Sequence, residues 1–211
     1  GLSRQPPPPQ PKRRIVALRD KNGRMRASDF DILIVPSIGG AAEGDWPSRW
    51  RSKLSTARFV HPADPRERRR QAWIEAVAGA AREATRPALF VGHGIGAAAV
   101  ADAGAALKGA DVRGAFLVAP PDEKGLVRLV GADWTPTRMP LPWPSVVIAS
   151  RNDPYAAYDA VAALASDWGA DLIDAGQAGG LDAASGHGPW PEGLMRLAAF
   201  IKGIGARRAG A

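Results

Sequence analysis

From residue 29 onward, short apolar runs alternate with longer amphipathic stretches. Runs at 32–35, 58–61, 88–91, 115–119, 146–149 and 171–174 predict six β-strands. The stretches 46–54, 66–84, 97–107, 155–168 and 194–204 predict helices; in the second, Trp73, Ile74 and Val77 share one face. The strand runs are continuously apolar, which means that both faces of the sheet are covered and its strands run parallel. Right-handed crossovers then give a doubly wound α/β domain with a six-stranded, mainly parallel sheet flanked by helices. Ligands of such a fold sit beyond the carboxyl ends of the strands, here the loops 36–44, 92–96, 150–155 and 176–188. Residues 122–140 have no clear period and predict an irregular excursion.

Composition narrows the chemistry. The chain has 211 residues, 45% apolar and 23% charged, the balance of one globular domain. It has no cysteine, which excludes disulfides, thiolate nucleophiles and thiolate metal sites. Histidine chemistry rests on His61, His93 and His187 alone. No apolar run reaches bilayer length and no apolar leader opens the chain, so the expected location is the cytoplasm.

The net charge of +7 is unevenly placed. Residues 1–28 hold eight basic side chains against Asp20 alone, so the remainder is formally neutral. This divides the chain into a basic, proline-rich arm (1–28), a domain (29–205) and a short tail (206–211). In the arm, Pro6, Pro7, Pro8 and Pro9 favour polyproline II, and Ile15, Val16 and Leu18 with Asn22-Gly23 could form a short hairpin. Lys12, Arg13, Arg14, Arg19, Arg24 and Arg26 could dock on an acidic protein partner; the alternative is a solubilising tail. Arg66, Arg68, Arg69 and Arg70 read as a solvated helix start. No zinc-finger spacing, RNP-type motif or helix-turn-helix pattern points to nucleic acid.

The third strand runs into Gly92-His93-Gly94-Ile95-Gly96 and then a helix. This is the frame of a nucleophile elbow, G-x-S-x-G, with glycine in the serine's place. The fifth strand ends at Ser150-Arg151-Asn152-Asp153-Pro154-Tyr155, where an α/β-hydrolase carries its acid. The sixth leads to Gly176-Gln177-Ala178-Gly179-Gly180-Leu181, where the base belongs. With Gly39-Gly40, Trp46, Arg49, Trp50, Val118-Ala119-Pro120-Pro121, the Pro140–Pro144 run and Gly188-Pro189-Trp190-Pro191, the sequence resembles the retinoblastoma-binding-protein-9/YdeN family of small serine hydrolases over residues 31–203. The resemblance implies a lidless α/β-hydrolase fold. It also implies that the nucleophile falls on Gly94, the base on Gly180 and the acid on Asp153, with Ser37, Ile38, Gly39, His93 and Ile95 around the oxyanion loop and pocket.

Two of the three catalytic positions therefore lack functional groups. Without a hydroxyl no acyl-enzyme forms, and without an imidazole nothing takes the proton. Glycine suits the elbow, whose backbone strain costs other residues about 1–3 kcal/mol. Ser37, on the oxyanion side, reads as a loop hydroxyl bonded to backbone, His187 as a surface residue and His93 as a packed one. No spacing motif suggests a metal, and no cofactor is implied. Asp153 is expected to be solvated or paired with an arginine. Six tryptophans fall where core residues belong; Trp134 is the one expected to line a groove.

The reading is a catalytically disarmed hydrolase fold that serves as a binding or accessory subunit through its arm and surface. The alternatives are a weak or altered hydrolase of small esters or amides, or a binder of small ligands. In the latter, two missing side chains would enlarge the cavity and the helix start at 95–97 could hold an anion.

Overall fold

The structure, a computed structural model, describes residues 24–131 and 133–209. The polyproline segment and the core of the expected hairpin lie outside the described residues. Six strands form one parallel sheet in the order β2-β1-β3-β4-β5-β6. They are β1 (Asp31–Val35), β2 (Ala57–Phe59), β3 (Ala88–His93), β4 (Val112–Val118), β5 (Ser145–Ala149) and β6 (Asp171–Asp174). The helices are α1 (Trp46–Lys53), α2 (Arg70–Glu83), α3 (Ile95–Ala103), α4 (Glu123–Val130), α5 (Tyr158–Trp168) and α6 (Pro191–Ala209).

The strand pattern explains the two cores. Side chains alternate across a strand, so in β1 Leu33 and Val35 pack with Trp73, Trp134, Trp143 and Trp168 on the α2–α3–α5 face. Ile32 and Ile34 pack with Trp46, Trp50, Phe116 and Trp190 on the α1–α6 face. Burial on both faces is why the strand sequences are apolar without alternation. The chain order reverses at β1, with β2 on one side and β3 on the other, which opens the crevice where doubly wound folds hold ligands.

Three elements differ from expectation. The excursion 122–140 contains α4, a short amphipathic helix that buries Leu126 and Val130 one turn apart. Its start is fixed locally: the Asp122 carboxylate accepts from Gly125 N–H and Ala157 N–H. Gly125 cannot be larger, because a Cβ there would overlap the Tyr155 carbonyl. Helix α2 starts at Arg70 rather than 66, since Glu67 accepts from the N–H groups of Arg68 and Arg69 and holds a turn. Strand β2 is only three residues, as suits an edge.

Trp134 lines no groove; it is 1% exposed. Its Nε1–H donates to Asp102 Oδ2 at 2.7 Å, and Asp102 also accepts from Arg70 Nε at 2.9 Å and Thr137 N–H at 2.8 Å. This buried carboxylate thus ties α2, α3 and the segment after α4 together. Burial raises its pKa against the opposing pull of Arg70, Thr137 and Trp134.

Candidate active site

The β3–α3 turn builds the centre of the site. Gly94 adopts φ 56°, ψ −121°, a conformation that side chains disfavour. Gly96 is required for a different reason: a Cβ there would overlap the Val35 carbonyl, so α3 could not approach β1. The elbow geometry is therefore intact, although residue 94 brings no hydroxyl.

The space that a side chain at 94 would take is filled from across the crevice. A Cβ on Gly94 would lie 2.5 Å from Ser37 Oγ and 3.0 Å from Ser37 Cβ. Ser37 follows β1, and its Oγ also accepts a long, 3.4 Å hydrogen bond from Ile95 N–H at the start of α3. Ile95 itself is fully buried and offers the site only this backbone donor. At position 180 the crowding comes from the same loop, where a Cβ would lie 2.8 Å from Asp182 Oδ2. The other carboxylate oxygen of Asp182 accepts from Ser185 N–H at 2.9 Å, which fixes the side chain. The two missing side chains therefore leave less room than expected.

The loop after β6 is held from three sides. Ser150 Oγ accepts from Ala178 N–H at 3.0 Å, and Asn152 Oδ1 accepts from Gly179 N–H at 2.7 Å. His93 Nε2 lies 3.0 Å from the Gly180 carbonyl. Burial pushes the His93 pKa down, so the ring is neutral, and a neutral ring facing a carbonyl must donate from Nε2. Trp46 Nε1–H donates to the Leu181 carbonyl at 2.8 Å, and its ring lies 5.3 Å from that of His93. His93 is thus a loop anchor. Sequence reasoning placed it as packed but missed its bond to the loop, because the partner is a backbone atom 87 residues away.

Among the described non-glycine residues, only Ala119 (φ 48°) and Leu181 (φ 52°) have positive φ, and both belong to this region. A cavity of about 270 Å³ opens between these loops. Ser37, Ile38, His93, Gly94 and Asp153 line it, together with Asp45, Asp182, Leu129 and Tyr155. Gly39 and Ile95 do not. His187 lies elsewhere: its Nδ1 is 3.1 Å from Ser185 Oγ, and its ring meets Trp190 edge-on.

Asp153 is half-buried and makes no salt bridge among the described residues. It accepts from Tyr155 N–H at 2.9 Å. Burial pushes its pKa up to about 6; Asp182 and Asp122 add to this, while the Tyr155 N–H and Arg128 oppose it. Arg151, the neighbour in sequence, turns away to Asp174 at 2.7 Å. No lysine or arginine lines the cavity. Sequence reasoning did not single out Asp45 or Asp182, since a carboxylate in a loop carries no motif.

Residues 32–199 match the family model described as serine hydrolase. The chain belongs to the serine hydrolase family. A search of curated proteins finds no match. Among solved structures, a YdeN-like hydrolase from Pectobacterium atrosepticum is 27% identical, with a TM-score of 0.75 over 84% of this chain and 94% of that one. The ydeN gene product of B. subtilis shares the fold at 16% identity and a TM-score of 0.65, over 81% and 98% of the two chains. So does the RedJ thioesterase of the prodiginine pathway in Streptomyces coelicolor, at 18% identity and a TM-score of 0.56, over 85% and 87%. Within the family frame, Gly94 stands at the elbow, and Asp153 and Gly180 follow β5 and β6. No helix of the described residues is long and apolar enough to cross a membrane.

Proposed function

We propose that this family member has given up acyl transfer and acts by binding. The observation that carries the proposal is the refilling of both vacated positions, by Ser37 at the elbow and by Asp182 at the base. A triad that had lost only its side chains would keep space for them. Here Ser37 from the loop after β1 and Asp182 from the same loop as Gly180 stand in that space, and Asp153 has no imidazole to orient. His93 Nε2 is not available as a base, because its N–H is committed to the Gly180 carbonyl. Restoring Gly94→Ser and Gly180→His alone would drive both side chains into occupied positions.

Short-chain p-nitrophenyl esters and a fluorophosphonate probe test the proposal. The expected result is no turnover above a heat-denatured control and no serine adduct. Turnover with an adduct on Ser37 would overturn it, and would make the chain a hydrolase with a displaced nucleophile.

The basic arm is the second part of the proposal. Lys12, Arg13, Arg14, Arg19, Arg24 and Arg26 lie in the segment that carries the whole net charge, which supports docking on an acidic protein. Replacing Lys12, Arg13 and Arg14 by glutamate in the full chain should abolish retention on immobilised polyglutamate; unchanged retention would reject a role for the arm.

A further inference from the structure

The two outer edges of the sheet differ in charge. Among the described residues β6 pairs with β5 alone, so its other side is an edge. Asp171 and Asp174 stand at its ends and are exposed. Between them Leu172 is 38% exposed, while Ile173 packs towards the α1–α6 core. At the opposite edge, β2 carries Arg58 at its centre, and the Arg51 guanidinium of α1 lies over the Phe59 ring. One edge is therefore acidic with an uncovered apolar side chain, and the other is basic. An edge strand offers its backbone groups to any chain that can lie along it. A second β6 is a poor candidate, because an antiparallel pair of these strands sets Asp171 against Asp174, and like charges directly opposite are unfavourable.

We infer that the edge of β6 is a docking site for residues 14–17 of the chain's own basic arm, which add a seventh, antiparallel strand to the sheet. The inference goes beyond the proposed loss of acyl transfer and does not rest on it. The arm reads Arg14-Ile15-Val16-Ala17-Leu18-Arg19, an apolar run with a cation at each end. One register suits β6 throughout. Arg14 lies opposite Asp174, Ile15 opposite Ile173, Val16 opposite Leu172 and Ala17 opposite Asp171. Arg19, two residues on, is then the diagonal neighbour of Asp171 and within reach of it. A slip of one residue in either direction sets an apolar side chain against an aspartate. The basic β2 edge offers no such match.

The path of the chain permits this pairing. Residues 24–30 lead into the start of β1, so the arm meets the domain at the amino ends of the strands. There Met25 packs against Gly205 of α6, and Ile204 beside it reaches Gly114 of β4. β6 lies two strands beyond β4, about 10 Å away. The seven residues from Ala17 to Arg24 can span about 23 Å, and Asn22-Gly23 supplies a turn. A strand whose carboxyl end returns to this point runs against β6, and an antiparallel strand is a common edge for a parallel sheet. Docking covers Leu172 and closes the edge. It also carries Lys12 and Arg13 past the carboxyl end of β6, where the acidic partner proposed above can meet them.

The chain has no cysteine, so an engineered pair reports the docking directly. In the full chain, Val16→Cys with Leu172→Cys should form a disulfide within one chain on mild oxidation. The rate should be at least about tenfold higher than for Val16→Cys with Arg58→Cys on the β2 edge. Adding Arg14→Glu and Arg19→Glu should slow the first reaction and not the second. Hydrogen exchange gives a second measurement without cysteine. Ile15→Asp with Val16→Asp should speed exchange of the β6 amides that face away from β5 at least about tenfold, with the other strands unchanged. Equal disulfide rates at the two edges would overturn the inference, and so would β6 exchange that the aspartate variant leaves as it is in the native chain. A disulfide that forms only between chains would also overturn it, and would assign the edge to the arm of a second copy.

Discussion

Asp153→Asn gives the most direct check on the electrostatics of the cavity. The native carboxyl titrates at about 6, against an ordinary value of 3.8, chiefly because it is half-buried without a cationic partner. Between these two values the folded chain holds a proton that the unfolded chain has released. Stability therefore falls as pH rises from about 4 to about 6 and is level, for this group, above that. At 1.36 kcal/mol per pH unit the ceiling is about 3 kcal/mol, and screening of a partly exposed carboxyl reduces it to about 1–2 kcal/mol. Asparagine keeps an acceptor for Tyr155 N–H and removes the charge. Urea unfolding of the native and variant chains near pH 4 and pH 7.5 measures the effect. The variant should match the native chain at the lower pH and be about 1–2 kcal/mol more stable at the higher one. A stability difference that stays the same at both values would refute the account of Asp153 as an uncompensated buried carboxyl.

Asp102→Ala removes the common acceptor of Arg70, Trp134 and Thr137 and should cost about 3 kcal/mol in denaturant unfolding; a loss below about 1 kcal/mol would mean that the cluster is not a tie. Gly96→Ala places a Cβ against the Val35 carbonyl and should cost more than about 3 kcal/mol, read as loss of the cooperative thermal transition. Gly94→Ser should cost about 2–4 kcal/mol from strain and crowding, and adding Ser37→Gly should return at least about 1 kcal/mol of it. Independent, additive effects in that double-mutant cycle would show that the two positions do not share space.

The sheet was legible because parallel strands buried on both faces leave an unmistakable apolar run, as at 32–35 and 88–91. Helix α4 was missed although Leu126 and Val130 sit one turn apart on a buried face, because an eight-residue helix with an internal glycine, between proline-rich segments, reads as loop and owes its position to Asp122 and to the Tyr155 backbone. Trp134 was misplaced for a related reason. Its partner Asp102 is 32 residues away on α3, and only the tertiary structure shows that a buried carboxylate awaits its N–H. At the site, the elbow frame Gly92–Gly96 was readable from its glycine spacing, whereas Asp153 was singled out by its place after the fifth strand and by the family resemblance. The crowding by Ser37 was not, because it depends on which loops face each other across the crevice, and that by Asp182 was not, because it depends on how the loop after β6 turns. Of the two environments expected for Asp153, the arginine partner is absent among the described residues, since Arg151 pairs with Asp174 instead.

The exchange of space between Ser37 and Gly94 has a consequence for the routes by which sequence can change. A side chain at 94 is tolerated only after residue 37 shrinks, and one at 180 only after Asp182 moves or shortens. Each first step on its own either crowds the crevice or removes a side chain that now fills it. Under the binding role proposed above, the arrangement behaves as a ratchet: side chains at 94 and at 180 each need a second change beside them, so reversal requires paired changes at both.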